Sequence, residues 1–153
     1  MSKREEFTTA LKEALKTKDQ VAMSTIRLIT AAIKDRDIAA RSNGNTDGIT
    51  DSEILSMLQS MIKQRQESSS TYADAGRDDL AERELDEIKV IERFLPQQMG
   101  EEETAAAIDT IIADTGASNI KDMGKVMAEL KTRYAGQLDM AKAGGAVKAK
   151  LAG

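Results

Sequence analysis

Apolar residues in this chain recur three and four positions apart, segment after segment, and nowhere alternate with polar ones over the length of a strand. That period belongs to amphipathic helices, in which residues i, i+3, i+4 and i+7 share a face. Phe7, Ala10, Leu11, Ala14 and Leu15 form the first stripe, behind a capping box of Ser2 and Glu5, and predict a helix over residues 3–17. Asp19 can cap a second helix that reaches residue 40, with Ala22, Ile26, Ile29, Ile33 and Ile38 on its inner side. The stretch "SNGNTDGI" is rich in turn-forming residues and reads as a loop. Thr50 and Glu53 then make another capping box for a third helix, with Ile54, Leu58, Met61, Ile62 and Arg65 along one side. Gly76 reads as its stop, and Ala81, Leu85, Ile88, Ile91 and Leu95 predict the buried stripe of a fourth.

Pro96 is the only proline, and it both lacks an amide hydrogen and biases Leu95 away from helical geometry. The fourth helix is expected to end near Phe94, with a domain boundary at "LPQQMG". Beyond it, Glu101, Glu102 and Glu103 crowd a helical first turn, where the helix dipole favours carboxylates. Ala105, Ile108, Ile111 and Ile112 continue this fifth helix to Gly116. Ser118 or Asn119 can begin a sixth, with Met123, Val126, Met127 and Leu130 inward. Asp139 can cap a seventh, lined by Met140, Ala143, Val147 and Leu151. Gly144 and Gly145 each cost that last helix about 1 kcal/mol relative to alanine, so it should depend on docking. The expected fold is all-α: an N-terminal four-helix domain over 1–95 and a small C-terminal three-helix module over 97–153. An aromatic content of 3%, with Leu, Ile, Met and Ala supplying the apolar residues, agrees with helices rather than sheet.

The residues exclude much chemistry. With no Cys and no His, disulfides, thiolate metal sites and the commonest general base are all missing. There is no GxxxxGK[ST] phosphate loop and no GxGxxG behind a strand. Ser68, Ser69 and Ser70 read as solvated residues on the outer face of the third helix. Asp78, Asp79 and Glu82 have no EF-hand spacing beside them. No catalytic residue, metal ligand or cofactor is assigned. Met57 with Met61, and Met123 with Met127, sit four apart and read as core. The opening residues lack the apolar run of a signal peptide, and no segment approaches a membrane span, so a cytoplasmic protein is expected, without membrane contact.

Charge is unevenly distributed. The chain carries a net −4, yet residues 121–153 hold seven cations, Lys121, Lys125, Lys131, Arg133, Lys142, Lys148 and Lys150, against Asp122, Glu129 and Asp139. Clustered cations of this kind contact phosphates, and these seven are the candidate nucleic-acid-binding residues. Only Tyr134 accompanies them, so stacking on single-stranded bases is not expected, and a structured RNA read by shape and backbone fits better. The acidic stretch from Asp78 to Glu92 offers a different reading, an adaptor that meets a basic partner protein.

Four ordered motifs then resemble one family. "STIRLITAAIKDRDI" at 24–38, "MIKQRQES" at 61–68, "YADAGRDDLAERELDEIKVIERFLPQQM" at 72–99 and "TGASNIKDMGKVM" at 115–127 resemble the YqeY-like proteins of the GatB/YqeY family. The resemblance implies a four-helix N-terminal domain and a C-terminal domain similar to the tail of the B subunit of the glutamine-dependent Asp-tRNA/Glu-tRNA amidotransferase. It also implies tRNA, or a tRNA-handling enzyme complex, as partner. The associated activity is a carbon–nitrogen ligase with glutamine as amide donor, whose amidase, ATP and metal-binding centres lie outside what this chain contains. The expected role is therefore a non-catalytic accessory one. Lys121 to Met127 match the central helix of that tail, with Gly124 expected to permit close helix approach. Where relatives carry a cation after the glycine of the following turn, this chain reads Gly136, Gln137, Leu138, Asp139.

Overall fold

The structure, a computed structural model, describes residues 1–152. It contains α1 (Lys3–Thr17), α2 (Gln20–Ser42), α3 (Asp51–Asp74), α4 (Asp78–Glu92), α5 (Glu101–Thr115), a 3-10 turn (Ile120–Asp122), α6 (Met123–Arg133) and α7 (Met140–Ala152). There is no strand among the described residues, and the all-α expectation holds. The chain divides into two compact units, Met1–Leu95 and a second that begins at Pro96.

In the first unit, the Ser2 hydroxyl accepts from the Glu5 amide while the Glu5 carboxylate accepts from the Ser2 amide, so the capping box closes both ways. The Thr50 box closes only halfway: its hydroxyl accepts from the Glu53 amide but donates to the Glu53 carboxylate. Phe7, Ile26, Ile29, Ile54, Met57, Leu58 and Ile91 are fully buried in one core. Each contributes about 1.5–3 kcal/mol by leaving water. Phe7 meets Phe94 edge to face at 4.8 Å between ring centroids.

Polar groups then fix which helices meet. Arg4 donates twice to the Asp37 carboxylate at 2.9 Å and once to the Ile49 carbonyl at 3.0 Å, while the Ile49 amide donates to Asp37 at 2.9 Å. This latch ties α1, α2 and the loop before α3 together. Gly48 lies against it at φ 87°, with room for no side chain: a Cβ would sit 2.8 Å from Asp37 Oδ1. Arg65 of α3 and Glu87 of α4 pair at 2.9 Å, with side chains 14% and 12% exposed.

Three expectations about the inner faces are corrected. Leu15, Ile38 and Leu85 are about half exposed: Leu15 and Leu85 sit at the edge of their stripes, and Ile38 lies at least 120° around α2 from Ala22, Ile26, Ile29 and Ile33, on its far side. Ser69 is buried, not solvated, and its hydroxyl donates to the Ala81 carbonyl at 3.3 Å, where α3 and α4 pack most extensively. Met57 and Met61 are core, as expected.

The second unit has a smaller core of Ala107, Ile108, Ile111, Val126, Leu130, Leu138, Ala143, Val147 and Leu151. Its α7 is continuous through both glycines. Gly144 faces the Met127 and Met123 methyl groups, which a Cβ would meet at 3.6 and 3.8 Å. Gly124, expected to let helices approach, has open space where its Cβ would be, and the distances at Gly144 are those of ordinary packing, so neither glycine marks a close helix approach.

Candidate nucleic-acid interface

Local sequence places the candidate lysines. Asn119 Oδ1 accepts from the Lys121 amide, and the Asp122 carboxylate accepts from the Ser118 and Asn119 amides. Those two amides, helped by the Lys125 charge, hold the Asp122 carboxyl below its ordinary range. The sixth helix therefore starts later than the sequence suggests: Lys121 and Asp122 lie in the 3-10 turn, and α6 begins at Met123. After α6 the chain turns through Gly136 at φ 75°, a conformation glycine adopts without strain. The Gly136 carbonyl accepts from Gln98 Nε2 at 2.6 Å, and the Gln137 carbonyl accepts from the Met99 amide at 2.9 Å. Asp139 Oδ1 then accepts from the Ala141 and Lys142 amides and starts α7.

The seven cations fall into two groups. Arg133 donates to Asp114 at 2.9 Å and to Glu129 at 3.0 Å. Asp114 first, then Glu129, holds the Arg133 guanidinium further toward its charged form. Lys150 pairs with Asp109 and also donates to the Ala105 carbonyl at 3.4 Å. Both cations are thus spent on α5. Among the described residues, Lys121, Lys125, Lys131, Lys142 and Lys148 are exposed and make no ion pair. They lie on three elements packed together, the 3-10 turn, α6 and α7. On α6, Lys125 and Lys131 are about 120° apart around the axis, and so are Lys142 and Lys148 on α7. Each pair therefore brackets the solvent side of its helix instead of forming one line.

The surplus of cations over 121–153 does not extend to the whole unit. From Pro96 onward the chain has seven Lys and Arg against eight Asp and Glu, because α5 contributes Glu101, Glu102, Glu103, Asp109 and Asp114 and no cation. Charge is segregated within the unit: α5 is acidic, the 3-10 turn is neutral, with Lys121 beside Asp122, and α6 and α7 are basic. No signal in the sequence told which two cations α5 would take, since both pairs join residues at least 19 positions apart.

These features define an all-α protein of two helical units, the second carrying free lysines on packed short elements. The profile of the family described as Yqey-like protein matches residues 4–151, and the chain belongs to that family. Curated relatives share the name "Altered inheritance of mitochondria protein 41, mitochondrial". The one from Candida glabrata is 33% identical over 87 residues, 57% of this chain and 46% of the relative. That from Meyerozyma guilliermondii is 39% identical over 87 residues, 56% of this chain and 42% of the relative. A relative from Pyrenophora tritici-repentis is 28% identical over 130 residues, 80% of this chain and 68% of its own length. The chain spans less than half the length of the first two. The expectation of a cytoplasmic protein is overturned by these relatives, all named as mitochondrial. It rested on the absence of an apolar leader and of a spanning segment, and neither absence is an address. Among the described residues, no helix is long and apolar enough to cross a membrane.

Proposed function

We propose that this chain is a non-catalytic accessory protein of a tRNA-handling assembly, and that it contacts the tRNA backbone through Lys121, Lys125, Lys131, Lys142 and Lys148. The observation that carries the reading is their freedom from acidic partners, while the acids of α5 take Arg133 and Lys150 instead. Free ammonium groups release counterions when they meet phosphates, whereas cations already paired do so less readily. Placement on both flanks of two packed helices suits a surface followed by shape rather than a groove that reads bases. The similarity of this unit to the tail of the amidotransferase B subunit is part of the same proposal. It gives the chain the role of a binding partner to glutamine-dependent carbon–nitrogen ligase complexes, not that of their catalyst.

Filter binding of tRNA and of duplex DNA across a salt series tests this. Five phosphate contacts give a log–log salt slope of about −4. The triple variant Lys121→Glu, Lys125→Glu, Lys131→Glu should weaken tRNA binding by at least ~tenfold and reduce the slope by about 3. Equal affinity for tRNA and DNA, or an unchanged slope in the variant, would remove the assignment.

A further inference from the structure

The first unit is acidic as a whole, yet its charge is divided along the sequence. Residues 1–42 hold nine Lys and Arg against six Asp and Glu, and residues 43–95 hold six against twelve. Helices α1 and α2, on the basic side, border an open cavity of about 200 Å³. Phe7 and Ile33, both buried, line it together with Thr8 and Thr30. The Thr8 and Thr30 hydroxyls donate to the Arg4 and Arg27 carbonyls of their own helices at 3.1 and 3.0 Å, so neither seeks a ligand atom. Asp37, also at the cavity, is taken by Arg4 and the Ile49 amide. Lys34 is left as the cavity charge without an ion pair among the described residues.

Lys34 belongs to a row. Arg27, Lys34 and Arg41 follow at seven-residue intervals, about 10 Å apart along α2 and within about 40° of one line. All three are exposed, and none makes an ion pair among the described residues. The acids bordering the row do not cancel it. Asp37 is spent on the latch, and Asp35 lies roughly 100° around α2 from the row. Across the groove, Glu5 accepts from the Ser2 amide, and Asp51, within electrostatic reach of Arg4, accepts from the Lys3 amide. Lys12, one turn on from Thr8, adds an exposed cation on the α1 bank. Both banks also leave a large apolar side chain half exposed, Leu15 on α1 and, about 40° around α2 from Lys34, Ile38.

We propose that the groove between α1 and α2 docks an acidic amphipathic helix from a partner protein, with an apolar side chain seated in the cavity and carboxylates seven residues apart meeting Arg27, Lys34 and Arg41. The cavity and the spacing together select this occupant. The cavity has room for one large apolar side chain, and its threonines need no hydrogen bond from it. A phosphate backbone has no such group to offer, and Phe7, the aromatic residue of the cavity, is buried and presents no face to a base. About 10 Å is two turns of helix. In an extended chain it is about three residues, and side chains an odd number apart point to opposite faces. A helix lying in the groove packs as a third member beside two that already meet there. The proposal stands on the first unit alone and does not depend on the tRNA reading.

The test is fluorescence anisotropy with the full chain and a labelled alanine-based helical peptide bearing glutamate at every seventh position beside leucines. A peptide of the same composition, with its glutamates shuffled around the helix, is the control. The patterned peptide should bind about tenfold more tightly than the shuffled one. Arg27→Gln, Lys34→Gln and Arg41→Gln together should erase that preference with helicity intact by circular dichroism. Replacing the peptide's leucines by alanine, which leaves the protein untouched, should weaken binding at least about tenfold. The variant with glutamate at 121, 125 and 131 should keep the preference, and the α2 triple variant should keep its affinity for tRNA, so the two surfaces stand or fall separately. Equal binding of the two peptides, or a preference that survives the α2 substitutions, would overturn the proposal. So would a loss of tRNA affinity in the α2 variant, since the row would then meet phosphates. Wild-type self-association in sedimentation that this variant abolishes would overturn it too, since the occupant would then be a second copy.

Discussion

In the first unit the charged groups with structural roles sit between helices, whereas in the second they lie at the surface. Arg65 and Glu87 are mostly shielded from water, and Arg4 and Asp37 close a latch around a backbone amide and carbonyl. Arg133 and Lys150 make their bonds at the rim of α5, in solvent. The cores differ likewise: the first adds buried Phe and Met to its Ile and draws on four helices, whereas the second is smaller and is filled by Ile, Leu, Ala and Val without a fully buried Phe or Met. One unit uses its charges to specify which helices meet. The other keeps most of its cations free, and free charge is what a binding surface requires.

Core truncation should separate the two most strongly. Ile91→Ala empties a fully buried site and should cost the first unit about 3 kcal/mol in urea unfolding followed by circular dichroism. In a Tyr134→Phe background, which leaves Tyr72 as the sole tyrosine, Leu130→Ala should lower the stability of the second unit by a similar amount while leaving the Tyr72 fluorescence transition of the first in place. A single shared transition in both variants would erase the contrast. Next in size, Arg65→Met should cost about 2 kcal/mol, because it leaves the shielded Glu87 carboxylate with only the exposed Arg83 at 3.8 Å, and adding Glu87→Leu should recover most of it. The matching change in the second unit, Arg133→Met, should leave the denaturation midpoint where it was.

Acid sharpens the comparison further. The Arg4 guanidinium, then the Ile49 amide, hold the Asp37 carboxyl down to about 2. A carboxylate depressed in the folded state contributes its full stability above the ordinary value of about 4 and loses it as pH falls through the folded value. Stability of the first unit should thus decline between about pH 4 and pH 2, and Asp37→Asn should flatten that part of the curve. Smallest is a gain. The Thr25 hydroxyl is buried without a hydrogen-bond partner among the described residues, so Thr25→Val should raise stability by roughly 1 kcal/mol in the same urea assay.

Local signals carried most of the fold. Ser2, Asp19, Thr50 and Asp139 start their helices as their side chains suggest, because a cap is a contact between residues two or three apart. Leu85 stays exposed for a different reason: a stripe written as every third or fourth residue is wider than the line of contact, and only the neighbouring helix decides which edge is covered. The Arg4–Asp37 latch, the Arg65–Glu87 pair and the burial of Ser69 were not legible at all. Each depends on which helices come together, and apolar periodicity does not encode that pairing. The candidate lysines could be read from charge alone, but α5's claim on Arg133 and Lys150 could not, since a count begun at residue 121 leaves α5 out.

Gln98 gives the region after Pro96 a further meaning. Its side-chain amide reaches both the Pro96 carbonyl and the Gly136 carbonyl, and Met99 bonds to the next residue of that turn. The backbone at 96–99 is therefore a brace for the bend that leads into α7. A protease nick between Met99 and Gly100 would sever the brace from what it supports. The fragment released would keep all its lysines and lose the fastening that aims the last helix.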